Sequence, residues 1–263
     1  MSSQSINSTK IETLASFPKP LQNLPKVPET IFYKGDPTLL EKPMVSIVGT
    51  RKPSAYTKEM THQLAQKFAS IGYVVVSGAA MGVDAVAHKG AFPATIAVMA
   101  NGLDIIYPKV NQKLIENIYG DALALSEYEA GFRATKYTFV VRNRIVVALG
   151  EFLIITEADE NSGTMRSAEI ALELGKKIYV LPHRLHESKG TQKLLQEGNA
   201  ELILDIDAFV GKFGQVCEEE DPLLLFCRQI PTLHEVVDKF GDLVYEYELE
   251  GLVEIKNLKV YPL

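Results

Sequence analysis

The sequence predicts an α/β protein with a mainly parallel sheet, followed by a small winged-helix-like domain. Three observations predict it. Short β-branched runs alternate with helix-length amphipathic stretches between about residues 45 and 205. Such alternation implies parallel strands covered by helices on both faces. Hydrophobic residues make up 46% of the 263 positions, enough for a packed core. Residues 222–263 then abandon the alternation for three short helical stretches and a hairpin.

Residues 1–43 are polar and punctuated by Pro18, Pro20, Pro25, Pro28 and Pro43, the pattern of an arm lying on the main domain. The main domain is assigned to 44–214. Its first strand is 45–48. A helix follows over 56–71, with Met60, Leu64, Phe68 and Ile71 spaced by three and four. Strands at 73–76 and 95–99 enclose a helix over 83–90. A helix over 111–119 leads to a short strand at 123–125. Strands at 152–156 and 177–181 enclose a helix from 164 to 174. A helix near 192–197 and a strand at 202–204 complete the set. The acidic run Glu218-Glu219-Glu220-Asp221 marks 215–221 as a linker. Beyond it, helices are expected at 223–229, 232–240 and 242–249. Thr232 and Glu235 form a capping box at the second. A hairpin turns at Lys256-Asn257.

The formal charge of −6 is unevenly spread. Residues 215–263 hold eleven acids against four bases, whereas the rest holds 22 acids against 23 bases. The acidic tail is a poor grip for a phosphate backbone, but the near-neutral main domain can concentrate positive charge locally. No run of eighteen apolar residues is present, the start is polar, and Cys217 and Cys227 have no metal or disulfide spacing. A cytoplasmic protein without membrane association, metal or cofactor is expected.

Four post-strand loops carry the chemistry. Gly49-Thr50-Arg51-Lys52-Pro53-Ser54 sets two cations at a helix start, where they oppose the helix dipole unless an anion intervenes. Ser77-Gly78-Ala79-Ala80-Met81-Gly82-Val83-Asp84 is a glycine turn between strand and helix, able to point backbone N–H groups at an anion. Asn101-Gly102-Leu103-Asp104 with Tyr107-Pro108 is either a wall of the site or a plain turn. Ser162-Gly163-Thr164 opens a helix as a second anion turn. Between them, Lys136-Tyr137-Thr138-Phe139-Val140-Val141-Arg142-Asn143-Arg144 mixes cations and aromatics, the combination that binds single strands. Phe139 is open to either a core or a stacking role. Arg142 and Arg144, two apart, cannot both face one way on a helix, so one is expected to hold a loop. No nucleophile elbow and no metal-binding cluster accompany these loops.

At these residues the chain resembles the DprA/Smf family (DNA-processing protein A). The resemblance rests on Ile47-Val48-Gly49-Thr50-Arg51, Val76 to Asp84, Ala87-His88, Gly102-Leu103-Asp104 with Tyr107-Pro108, Arg142 to Val146, and Ser162-Gly163-Thr164. It implies an extended Rossmann-like domain that binds single-stranded DNA without cutting it. It also implies a homodimer that delivers incoming DNA to the RecA recombinase in natural transformation. Carried over by position, the DNA site is Arg51, Lys52, Ser77, Gly78, Ala79, Met81, Gly82, Arg142, Arg144, Ser162, Gly163 and Thr164. Lys136 and Phe139 join it from their charge, aromaticity and position. No catalytic residue is expected. The enzymatic alternative is a nucleoside monophosphate phosphoribohydrolase of the lysine decarboxylase-like fold. That signature needs paired glycines and an early glutamate, whereas this chain has Asn161-Ser162-Gly163-Thr164 and a late Glu169.

Overall fold

A computed structural model describes residues 10–215, 222–227 and 230–262. Most of the acidic linker, 216–221, lies outside the described residues. The chain divides into two compact units, Met1–Gln215 and Val216–Leu263.

The first unit holds a nine-stranded sheet in the order β1-β2-β6-β5-β4-β3-β7-β8-β9. Its strands are β1 (Glu12–Thr13), β2 (Phe32–Gly35), β3 (Met44–Val48), β4 (Val74–Ser77), β5 (Thr95–Met99), β6 (Leu123–Ser126), β7 (Leu153–Ile155), β8 (Ile178–Val180) and β9 (Glu201–Leu202). From β6 across to β9 every pairing is parallel. β3 to β8 are fully buried, mostly β-branched and aliphatic runs, as a two-sided sheet requires. The strand order reverses at β3, which pairs with β4 on one side and β7 on the other. In open α/β sheets the crevice beyond such a reversal is where ligands sit.

Helices α1 (Lys19–Gln22), α2 (Ala55–Ser70), α3 (Val83–Ala91), α4 (Gln112–Asp121), α5 (Lys136–Leu149), α6 (Gly163–Glu173), α7 (Lys189–Gln196) and α8 (Ile206–Val210) complete the unit. One sheet face packs α2, α3 and α8 around Phe68, which touches the rings of Tyr73, Phe152, Phe209 and Phe213. The opposite face packs α4, α5 and α6, with Ile145 to Leu149 of α5 buried.

Beyond the short helices α1 and α8, two larger features of this unit differ from the sequence expectation. The N-terminal segment is part of the sheet: β2 pairs antiparallel with β6, and β1 with β2. Edge pairings of four residues or fewer, set among prolines, leave no period to read. Helix α5 has no clear helical period in the sequence, because its first turns are aromatic and β-branched. It starts through a capping box in which Thr135 and Thr138 exchange hydrogen bonds.

The second unit has α9 (Pro222–Cys227), α10 (Leu233–Phe240), α11 (Leu243–Leu249), β10 (Val253–Lys256) and β11 (Lys259–Pro262). The Thr232–Glu235 capping box forms with both hydrogen bonds. The hairpin closes one residue later than expected: Lys256 pairs with Lys259, and the turn is Asn257-Leu258, both at positive φ. No described helix is long and apolar enough to cross a membrane.

Candidate nucleic-acid interface

The loops after β3, β4, β5 and β7 leave one edge of the sheet, on either side of the reversal at β3. Their glycines permit close backbone packing. A Cβ on Gly82 (φ 82°) would fall on the Thr50 carbonyl and the Arg51 backbone, so this glycine lets the first two loops touch. A Cβ on Gly78 would fall on the guanidinium of Arg142. At both positions the space a side chain would need is taken by the protein itself.

The backbone donors of the glycine turn are similarly engaged. The Ala79 amide donates to Nε2 of His88 (3.2 Å), and the Ala80 amide donates to the Asp84 carboxylate (3.3 Å). Asn111 Nδ2 donates to the carbonyls of Ala79 and Ala80, both at 3.1 Å. Ser77 is buried, and its hydroxyl donates to the Ile47 carbonyl across the sheet (2.7 Å). Ala79 sits at φ 56°, held there by these partners. The Ala79 and Ala80 amides and the Ser77 hydroxyl are thus engaged inside the protein, and these residues shape the edge from beneath.

Arg142, expected at the site, lies inside the protein. It is 3% exposed, and its guanidinium donates to the carbonyls of Gly78 and Val98. Burial lowers its pKa to about 10, with the Asp84 charge opposing that shift. Burial raises the Asp84 pKa, while Arg142 and the turn amides pull it down. His88, fully buried, is pushed down to about 3 by desolvation and then by Arg142. Its Nδ1–H donates to Thr95 Oγ1 (2.7 Å), because that hydroxyl itself donates to the Val75 carbonyl (2.8 Å). Arg142, Asp84 and His88 thus form a buried strut beneath the glycine turn.

Arg144 also serves the fold. Its guanidinium makes a two-pronged bond to Glu127 (3.0 and 2.7 Å), and its Nε donates to the Lys26 carbonyl (3.2 Å). Both arginines hold structure, where the sequence leaves one of them for ligand.

The cation conflict at the start of α2 is resolved from within. Glu157 Oε2 accepts from the Ser54 amide (3.0 Å) and from the Thr57 hydroxyl (2.5 Å), placing a carboxylate at the helix N-terminus. The spacing of about a hundred residues hides this cap from the sequence.

A different set of side chains reaches the surface. Arg51 and Lys52 are exposed, as is Lys136. None of the three makes an ion pair among the described residues. The Arg51 guanidinium lies 5.2 Å from the centroid of the Phe139 ring, within cation–π range. Tyr107, 48% exposed, approaches Phe139 at 5.8 Å between centroids. Met81 is 44% exposed on the turn that Gly82 brings against Arg51. Lys136 lies one helical turn before Phe139 on α5. Tyr107, which the sequence leaves between wall and turn, belongs to this group. Asp104 supports its loop by accepting the Gly131 amide through both oxygens, at 2.9 and 2.8 Å.

Ser162, Gly163 and Thr164 open α6 beyond β7, as the sequence indicates. Gly163 is open around its Cα, Thr164 is buried, and the buried Ser162 hydroxyl has no partner among the described residues. No hydrogen bond or ring contact among the described residues joins this turn to the Arg51–Phe139 group. No trio of His, Cys, Asp or Glu is placed to hold a metal among the described residues.

Similarity to known proteins covers the same region. A family model described as DNA recombination-mediator protein A matches residues 10–214. DNA processing protein DprA of Bacillus subtilis is 36% identical over 201 residues, 74% of this chain and 67% of the relative. Its Streptococcus pneumoniae counterpart is 37% identical over 202 residues, 75% of this chain and 71% of the relative. Protein Smf of Synechocystis is 34% identical over 209 residues, 76% of this chain, and the match spans about half (52%) of that relative. Among solved structures, DNA processing protein A from Helicobacter pylori, studied for its single-stranded DNA binding mode, matches with a TM-score of 0.77 and 43% identity. That match covers 78% of this chain and 95% of the other. The Streptococcus pneumoniae protein matches with a TM-score of 0.72 and 33% identity, over 79% and 75% of the two chains.

Proposed function

The chain belongs to the DNA recombination-mediator protein A family, and from that premise we propose that it binds single-stranded DNA on the Arg51–Phe139 surface without cutting it. The observation that carries the reading is the Arg51 guanidinium over the half-buried Phe139 ring, with the Tyr107 ring beside it. Cations that track phosphates and aromatic faces that stack bases are the two components of single-strand recognition. Arg51, Lys52 and Lys136 neutralise phosphates; Phe139, Tyr107 and Met81 offer apolar faces to bases. Ser77, Ala79 and Ala80 shape this surface with their polar groups already engaged, and the side chains carry most of the phosphate contact. Ser162, Gly163 and Thr164 give the strand a further anion contact at the start of α6.

The same proposal extends to partners. A homodimer in the cytoplasm would hold incoming DNA during natural transformation and pass it to the RecA recombinase. The acidic second unit would meet protein surfaces. The hydrolase alternative gains no support from Glu169, which is more than half exposed and bonded to Arg166 (2.6 Å), an ordinary surface helix pair.

The test is fluorescence anisotropy of labelled oligo-dT and a matched duplex over several salt concentrations. Tight, salt-dependent binding that favours the single strand is expected. Arg51→Ala should weaken it and reduce the salt slope by about 0.7 for each phosphate no longer neutralised. An unchanged slope would remove Arg51 from the DNA surface. No binding at low salt would overturn the reading and make nucleoside monophosphate hydrolysis, with Glu169 as first target, the next assay.

A further inference from the structure

An apolar cleft of about 250 Å³ lies against α5, the helix that also carries Lys136 and Phe139. It is lined by Tyr137, Val140 and Val141 of α5, Ile170 and Leu174 of the α6 segment, and Leu24 of the N-terminal segment. We propose that this cleft is a second subsite for the same strand and takes one nucleobase beside Tyr137. The inference rests on the single-strand reading above and adds to it a place for a further nucleotide.

Size, exposure and position carry the argument. The volume falls below the roughly 300 Å³ at which ordinary small-molecule pockets begin, so a single planar ring is the group that fits. Tyr137 is 72% exposed and Val140 42% exposed, although both stand on a helix whose later turns are buried. An aromatic ring left in water beside an apolar slot is a stacking face without a partner. Tyr137 and Val140 directly follow Lys136 and Phe139 in the chain. On the helix each is displaced by about 100° around the axis from the residue before it, so the cleft lies on a different side of α5 from Phe139, with Lys136 between the two. A strand that wraps around the first turn of α5, past Lys136, reaches the cleft from the Phe139 side. Lys26 stands at the rim as a second cation. Glu173 stands there too, a carboxylate able to accept a ring N–H such as N3–H of thymine and unsuited to phosphate.

The cleft is also pre-formed. Arg144, part of its lining, is held by Glu127 and by the Lys26 carbonyl, which joins the N-terminal segment to α5. A base entering it displaces water without rearranging the walls.

The experiment is a titration of oligo-dT of increasing length against the intact protein and three variants: Val140→Asp, Tyr137→Ala and Tyr137→Phe. The same oligonucleotides carrying 4-thiothymidine are used for photo-crosslinking. Wild-type affinity should step up once the oligonucleotide is long enough to reach the cleft, and crosslinks should map to Tyr137. Val140→Asp and Tyr137→Ala should lose about five- to a hundredfold on long oligonucleotides, the range of one base stack. Their affinity for short ones should be unchanged. Tyr137→Phe keeps the ring and should behave as wild type. Equal affinity of Val140→Asp and wild type for long oligonucleotides would overturn the proposal, as would crosslinks confined to Phe139 and Tyr107. In those cases the cleft would be left to a protein side chain. If wild type binds no oligonucleotide of any length, the single-strand reading itself fails, a result distinct from a silent cleft.

Discussion

Replacing Arg142 by Met separates a structural arginine from a DNA contact. Met matches the length of the aliphatic stem and removes the guanidinium. Three acceptors then lose a donor, the carbonyls of Gly78 and Val98 and the Asn143 side-chain oxygen, and the buried Asp84 carboxylate loses the nearby positive charge that lowers its pKa. Removing one member of a buried charge pair costs about 3–5 kcal/mol, because the other charge stays buried without compensation. Set against a total stability of about 5–15 kcal/mol, that is a large share. At roughly 2–4 °C per kcal/mol for a domain of this size, the melting midpoint should fall by about 6–20 °C. The assay is thermal and urea unfolding of wild type, Arg142→Met, Asp84→Asn and the double variant. The double variant should melt above Arg142→Met alone, because Asn removes the stranded charge. Oligo-dT titrations of the folded variant at low temperature complete the test. An unchanged midpoint together with a salt slope reduced by about 0.7 would refute the reasoning, since that is the signature of a phosphate contact.

Other consequences are open to measurement. Gly82→Ala puts a methyl group onto the Thr50 carbonyl at a positive φ. It should cost more than about 1 kcal/mol in urea unfolding and weaken oligo-dT binding by displacing Arg51; wild-type affinity and stability would count against the close packing. His88 has a folded pKa of about 3 against an ordinary 6.5, so the unfolded chain binds the extra proton between those values. Its contribution is complete above about pH 6.5 and declines as pH falls toward 3. The raised pKa of Asp84 acts in the opposite sense in acid. The readout is therefore wild type minus His88→Gln, and the two acid-unfolding curves should converge as pH drops. Parallel curves would show that His88 is not held neutral. Deleting 216–263 should leave most oligo-dT affinity in place; loss of binding in a truncation that still melts cooperatively would assign the acidic unit a DNA role.

What the sequence shows of this molecule follows its periodicities. β3 to β8 are visible because buried parallel strands are nearly pure aliphatic runs, and α2 because Leu64 and Phe68 recur at helical spacing. The Thr232–Glu235 box is visible because its two halves are three residues apart. The exposed cations and Phe139 are legible as residue types that bind strands. Burial is not legible: Arg142 and Arg144 carry the same charge as Arg51, and only the packing of α5 against the Gly78 turn and the N-terminal segment distinguishes them. Glu157 shows the same limit. Its partners at the start of α2 are remote in sequence, so that helix start reads as an empty anion site. The glycine turn is visible as a motif, but that His88 and Asp84 take the Ala79 and Ala80 amides is not.

The placement of β3 between β4 and β7 has a consequence for the life of the chain. The Arg51 loop leaves a strand that is complete only when residues 153–155 have docked beside it. Phe139 comes from the helix that precedes that strand. A nascent chain released before β7 would carry every side chain of the Arg51–Phe139 surface and still lack the scaffold that aligns them. On the proposed reading, strand binding and folding of the first unit form one thermodynamic cycle. Oligonucleotide at about a hundredfold its dissociation constant would add about 2.7 kcal/mol to the stability of the first unit, and DNA would act on this protein as a folding ligand as well as cargo.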